Sequence, residues 1–241
     1  MPRTEDYKQE LRRRRTAGGE NRIPPAIAVV VAAVIYALLP GVLLVGPRLI
    51  IPGIELALLI ALVITNPRRI VRQTRWSRTL SIALAGVMIV ANLLALALLI
   101  TTLNKTSTSG TSLLVGGMQV WLTNVIGFGL LYWELDRGGP VPRHTLRRDR
   151  MQPADWRFSQ DENSDAVVEV AASSSDTSGW IPTFIDYLYL SLTNSSAFSP
   201  TDTMPLTSRA KSLMGIEASA ALLTSLLVIA RAIGSLSGGG G

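Results

Sequence analysis

Long unbroken apolar runs constrain this chain more than any other feature. They extend for about 17 to 25 residues between polar breaks, and at a helical rise of about 1.5 Å per residue each is long enough to cross a hydrocarbon core about 30 Å thick. Inside such a core every backbone amide and carbonyl must be bonded within the protein, which leaves helices or a closed barrel. Strand-like alternation is absent, so the expected fold is all-α: a polytopic helical membrane protein with six hydrophobic segments. Composition agrees. The chain is 48% hydrophobic and 17% charged, a balance ill suited to the exterior of a water-soluble domain.

Residues 1–22 form a basic tail, too polar for a cleavable signal peptide. Residues 23–135 hold four expected transmembrane helices: Ala26 to Val45 with a kink at Pro40, Leu49 to Thr65, Thr79 to Leu103, and Leu113 to Leu135. Residues 136–179 are polar, with Pro and Gly first, arginines next, then the acidic, Ser-rich "DENSDAVVEVAASSSDTSG"; such a composition predicts a flexible loop. Residues 180–236 carry two more apolar segments, Trp180 to Phe198 and Leu213 to Ile233, and 237–241 is a Gly-rich tail or linker. No internal repeat of the transporter kind stands out.

Lys and Arg counts give the orientation. The tail carries seven, the loop after the second segment five (Arg68, Arg69, Arg72, Arg75, Arg78) and Asp136 to Arg150 five more, against one each in "GPRLIIPG" and "NKTSTSGTS". The N-terminus, the second loop and the long loop are therefore expected on the cytoplasmic side, with Trp76, Trp133 and Trp180 at the interfaces. The net charge of +6 sits beside apolar runs as a topology signal, so no nucleic-acid partner is expected. Without cysteine there are no disulfides, thiolate metal sites or cysteine nucleophiles. No metal site, no cofactor and no catalytic constellation is legible. The only histidine, His144, lies among arginines and is expected to be solvated or to face headgroups. "GG" at 116 and 117 suits close helix packing, and the chain is expected not to be an enzyme.

The stretches "LLYWELDRGGP", "FIDYLYLSLTNSSAFSPTDTMPLTSRAKSLMG" and "NPRR" together resemble a family of uncharacterised bacterial multi-pass integral membrane proteins, from about Pro25 to Leu236. The resemblance implies the cytoplasmic membrane of a bacterium and no particular activity. A more distant resemblance is to the pore module of two-helix potassium channels. Tyr187 to Ser196 is similar to its pore helix, "AFSPTD" occupies the filter position, and Pro205, Arg209, Glu217 and the pair Ala230 and Arg231 follow in the module's order. That implies a tetramer and an ion path. The filter glycines are replaced by Ser199 and Thr201, and Pro200 stands at the aromatic position, so carbonyl rings selective for potassium are not expected.

The fifth segment admits two topologies. As a span it gives six crossings with both termini inside; as a re-entrant helix it gives five, with the C-terminus outside. Asp186 and Arg231 fall at matching depths in the six-span arrangement, and a salt bridge between them would pin two antiparallel helices, which favours six. The polar residues expected at a constriction are Thr193, Asn194, Ser195, Ser199, Thr201 and Asp202, with Glu217 near the middle of the last helix. Glu217 either hydrogen-bonds Thr193, Asn194 or Ser195 of a neighbouring helix or lines a cation or proton path. Glu55 either faces an external cavity or reaches the interface, Asn92 and Asn124 are expected as interhelical hydrogen bonders, and Glu134, Asp136 and Arg137 as an interfacial cluster. Two functions follow: a channel-like protein, or a non-conducting scaffold or partner subunit.

Overall fold

The computed structural model describes residues 19–66, 69–71, 74–102, 110–162, 167–197 and 203–237. Helix α1 (Ile23–Ala37) begins on Pro24 and Pro25, which a first helical turn accepts because its amides have no intrahelical acceptor. It ends before Pro40, and instead of a kinked continuation a short 3-10 turn, Gly41–Leu43, follows. Arg48 satisfies the stranded carbonyls, donating from Nη1 to Ala37 O at 2.6 Å and Leu39 O at 3.0 Å. Helix α2 (Ile50–Thr65) runs back and stops at Asn66, one residue before Pro67.

Strand β1 (Glu20–Asn21) pairs antiparallel with β2 (Arg69–Ile70). The start of α1 and the end of α2 thus lie at one end of the molecule, here called the basic end. Helix α3 (Arg75–Thr102) leaves from it behind a reciprocal cap in which Ser77 N donates to Thr74 Oγ1 and Thr74 N to Ser77 Oγ, at 3.1 and 3.0 Å. Helix α4 (Gly110–Leu135) returns. It is the central element, touching α1 and α3 as well as the two helices that follow. Small residues permit that approach: a Cβ on Gly129 would stand 3.2 Å from the Cα of Leu188.

Much of the segment expected as a flexible loop is folded. Trp156 is fully buried, as are Asp136 and Arg143, and Asp155 is nearly so. Strand β3 (Trp156–Phe158) pairs antiparallel with β4 (Thr203–Pro205), Trp156 opposite Pro205 and Phe158 opposite Thr203. The Trp156 ring lies 4.7 Å from that of Tyr132, and its Nε1 donates to Met214 Sδ at 3.1 Å. The loop's two aromatics, together with Val141, dock into the helical core.

Helix α5 (Phe184–Ala197) and helix α6 (Ser208–Ser237) both set out from the basic end. The Phe184 amide is bonded to Glu20 there, and Ser191, two turns on, reaches Val125 O on α4. β4 then delivers the chain to α6, which runs antiparallel to α4, with Met214 near Trp156 and Val228 near Gly117. The antiparallel α5 and α6 of the six-span expectation therefore do not form. Nor does the Asp186 to Arg231 salt bridge. Asp186 accepts from Thr183 N and Oγ1, at 2.7 and 2.8 Å, at the start of its own helix. Arg231 lies one turn beyond Val228, near the opposite end of α4, and the α4 segment from Gly117 to Trp133 alone is about 24 Å long.

The outward faces stay apolar. Ile23, Ile27 and Val34 on α1, Val90 and Leu94 on α3, and Leu226, Ile229 and Ile233 on α6 are all exposed. Among the described residues three helices, α3, α4 and α6, are long and apolar enough to cross a membrane, and α1 and α2 are shorter apolar helices. Most of α4 is buried within the bundle, whereas most of α6 is not.

Candidate functional site

Glu217 is fully buried where α4, α5 and α6 meet. Tyr132 Oη and Asn194 Nδ2 each donate to its Oε2 at 2.6 Å, Ser195 Oγ donates to Oε1 at 3.2 Å, and Ser191 Oγ is also bonded to Oε1. Four neutral donors converge on one carboxyl group. Helical spacing explains the set: Ser191, Asn194 and Ser195 lie three and four residues apart on one face of α5. Asn194 Nδ2 also donates to Met214 O at 3.0 Å, tying α5 to the first half of α6.

Ser191 has one hydrogen and two acceptors in reach, since Val125 O lies 2.8 Å from its Oγ. When Glu217 is ionised, Ser191 donates to it. When Glu217 carries a proton, that proton is donated to Ser191 Oγ, which turns its own hydrogen to the Val125 carbonyl. The same heavy atoms serve both states.

A second polar chain adjoins the first. Asn124 Nδ2 donates to the Glu217 backbone carbonyl at 3.3 Å, Asn92 Nδ2 to Asn124 Oδ1 at 3.2 Å, and Thr123 Oγ1 to Asn92 Oδ1 at 2.6 Å. Asn92 and Asn124 thus bond α3 to α4, as interhelical glue does. Glu55 is buried on α2 and borders a small cavity shared with Tyr36, Asn92 and Thr123.

The expected residues divide. Asn194, Ser195 and Glu217 come together. Thr193 does not join them, because its hydroxyl bonds Leu190 O of its own helix at 3.0 Å. Ser199, Thr201 and Asp202 lie outside the described residues. Tyr132 and Ser191 join the site without having been expected there. Ser191 stands one turn before Ser195, a signal that was present, whereas nothing in the sequence aims Tyr132 across to α6.

At the basic end a cationic cluster surrounds Glu20. Its carboxylate accepts from Trp133 Nε1 at 3.0 Å and from the Phe184 amide at 2.6 Å, and Arg143 Nη2 lies 3.7 Å away. Burial pushes the Glu20 carboxyl above its ordinary range, and Arg143 pulls it part of the way back. Arg143 also donates to Trp133 O and Asp136 O, at 2.6 and 2.9 Å, and lies 4.8 Å from the centre of the Tyr187 ring. Tyr187 Oη donates to Asp136 Oδ2 at 2.5 Å, and the Asp155 amide to Asp136 Oδ1 at 2.7 Å. Asp155 in turn accepts from Thr207 at 2.5 Å and is paired with Arg209.

One expectation is corrected here. His144 is buried beside Glu20 rather than solvated, with burial and then Arg143 pushing it down to about 4. Glu134 and Asp136 are buried, and Arg137, nearly so, lies 3.6 Å from Asp136, so a charge cluster stands there, held also by the Asp155 amide and Asp161 of the folded segment. Among the described residues no cluster of metal-ligating side chains occurs. No family model, no curated protein and no solved structure matches this chain.

Proposed function

We propose that this chain is a non-enzymatic integral membrane protein whose α5 and α6 form a closed, pore-module-like unit serving as a scaffold or partner subunit in a membrane assembly. The supporting observation is the closure of Glu217 by four side chains of its own chain. A carboxylate that lines an ion path needs an open coordination position facing water; this one has its oxygens occupied by donors from α4 and α5. On this reading α3, α4 and α6 cross the bilayer, and α1 and α2 cross it as a shorter hairpin. Helix α5, about 21 Å long, enters from the basic end and is re-entrant, giving five crossings. The arginines hold the basic end, and with it the N-terminus, in the cytoplasm of a bacterium.

A second function has its own support. A short helix that dips in from one end, a return to that end and a long following helix is the plan of a channel pore module, and the exposed face of α6 offers a surface for lipid or for further copies in a homo-oligomer such as a tetramer. Proteoliposome flux separates the two. With potassium, sodium, chloride and proton gradients, wild-type protein is expected to give no flux above empty vesicles. A cation or proton current abolished by Glu217→Gln would overturn the closed-unit proposal in favour of conduction.

A further inference from the structure

We infer that the basic end holds a binding site for the phosphate group of an anionic phospholipid. The site is a cleft of about 880 Å³, within the range of ligand pockets. Arg137, Arg143, Arg147 and Arg148 line it, against the two lining carboxylates Asp149 and Asp161. Leu146, Met151 and Trp180 supply an apolar wall. A phosphodiester carried on an acyl body matches both halves of that lining, and guanidinium groups are the side chains best shaped for phosphate.

Arg143 makes this more than a run of surface charge. It is wholly buried, yet its Nε and Nη2 have no hydrogen-bond acceptor, and Glu20 lies 3.7 Å from Nη2, beyond hydrogen-bonding distance. Its charge, paired only loosely with Glu20, adds to the positive field at the inner wall of the cleft. Position supplies the second argument and rests on the membrane reading above. The cleft walls come from the residues just after α4 and just before α5, and Arg148 Nη2 clamps the two together by donating to Trp180 O at 2.9 Å. That is the level at which headgroups meet helix ends, where Trp and Arg are favoured.

The test uses full-length protein extracted from membranes in mild detergent, with its melting temperature followed during titration of dioctanoyl phosphatidylglycerol, dioctanoyl phosphatidylcholine or inorganic phosphate. Phosphatidylglycerol is expected to raise the melting temperature saturably, with phosphatidylcholine and phosphate each weaker by about tenfold or more. Arg147→Glu, at a residue whose side chain is 80% exposed, is expected to weaken the phosphatidylglycerol response several-fold, and the double variant with Arg148→Glu further. Equal response to the two lipids, or an unaltered response in Arg147→Glu, overturns the proposal. Phosphate as effective as the lipid overturns the lipid assignment and gives the cleft to a soluble phosphate. Extraction of the membrane pellet at high pH reports separately on the membrane reading: release of the chain there sinks that reading whatever the lipid titration shows.

Discussion

Glu217 and Glu20 both accept hydrogen bonds from α4 and α5, through the adjacent α4 residues Tyr132 and Trp133, yet their surroundings differ in kind. Around Glu217 every partner is a neutral donor. Around Glu20 the guanidinium of Arg143 and the imidazole of His144, kept neutral by burial, stand within 4 Å. The inner site suits a carboxyl group in either protonation state, because its hydroxyl partners can reverse direction. The outer one balances fixed charges, so losing one member strands the rest. A bilayer makes the same division: net charge is expensive at depth and tolerable where the helices end.

Arg143→Ala should break the outer site hardest. It leaves Glu20 without its buried cation and the Trp133 and Asp136 carbonyls without their donor, and breaking a buried charge network in this way costs about 3–5 kcal/mol; the melting temperature in detergent reads it. A variant that melts like wild type would show that the outer network is not structural.

At the inner site two substitutions at one position sharpen the contrast. Glu217→Leu strands the donors of Tyr132 and Ser195, at about 1–3 kcal/mol each. Glu217→Gln should cost far less. Its oxygen accepts from Tyr132 and Asn194, and its amide donates to Ser191 and Ser195, with Ser191 turning to Val125 O. Equal losses in the two variants would show that the site requires a charge, and the comparison would collapse.

Acid separates the sites next. His144 has a folded pKa near 4, below its ordinary 6.5, so between those values the unfolded chain takes up a proton that the folded chain refuses. Stability should therefore fall as pH drops from about 6.5 to 4, by roughly 1–3 kcal/mol. Glu20, shifted upward, works in the opposite sense: its contribution is present at low pH and is lost as pH rises through its folded value. His144→Asn should flatten the acid limb of a stability profile, and an unchanged limb would remove His144 from the account. The smallest effect belongs to Tyr132→Phe, which takes one donor from Glu217 and leaves three, at a cost of about 1 kcal/mol.

How far the site was legible depended on whether its partners were local. Ser191, Asn194 and Ser195 share a helical face within five residues, and Glu217 stands out as a carboxyl in an apolar run. Tyr132 lies 85 positions from Glu217, and no periodicity links them. His144 and Arg143 read as surface residues because their surroundings in sequence are basic and polar. Trp156 and Phe158 carry that segment into the core, and two aromatics in a long polar stretch are a faint signal.

Apolar run lengths determined by themselves that this chain would be mostly helical, because hydrogen bonding and hydrophobicity act within each segment. The placement of α5 was decided only in three dimensions. Its 14 residues suit a short crossing or a dip equally well in hydropathy. Strand β4 returning to β3 put both of its flanking segments at one end, a pairing between residues about fifty positions apart that no local propensity encodes. The separation of Asp186 from Arg231 follows from that same return, since it sets α5 and α6 running in the same direction.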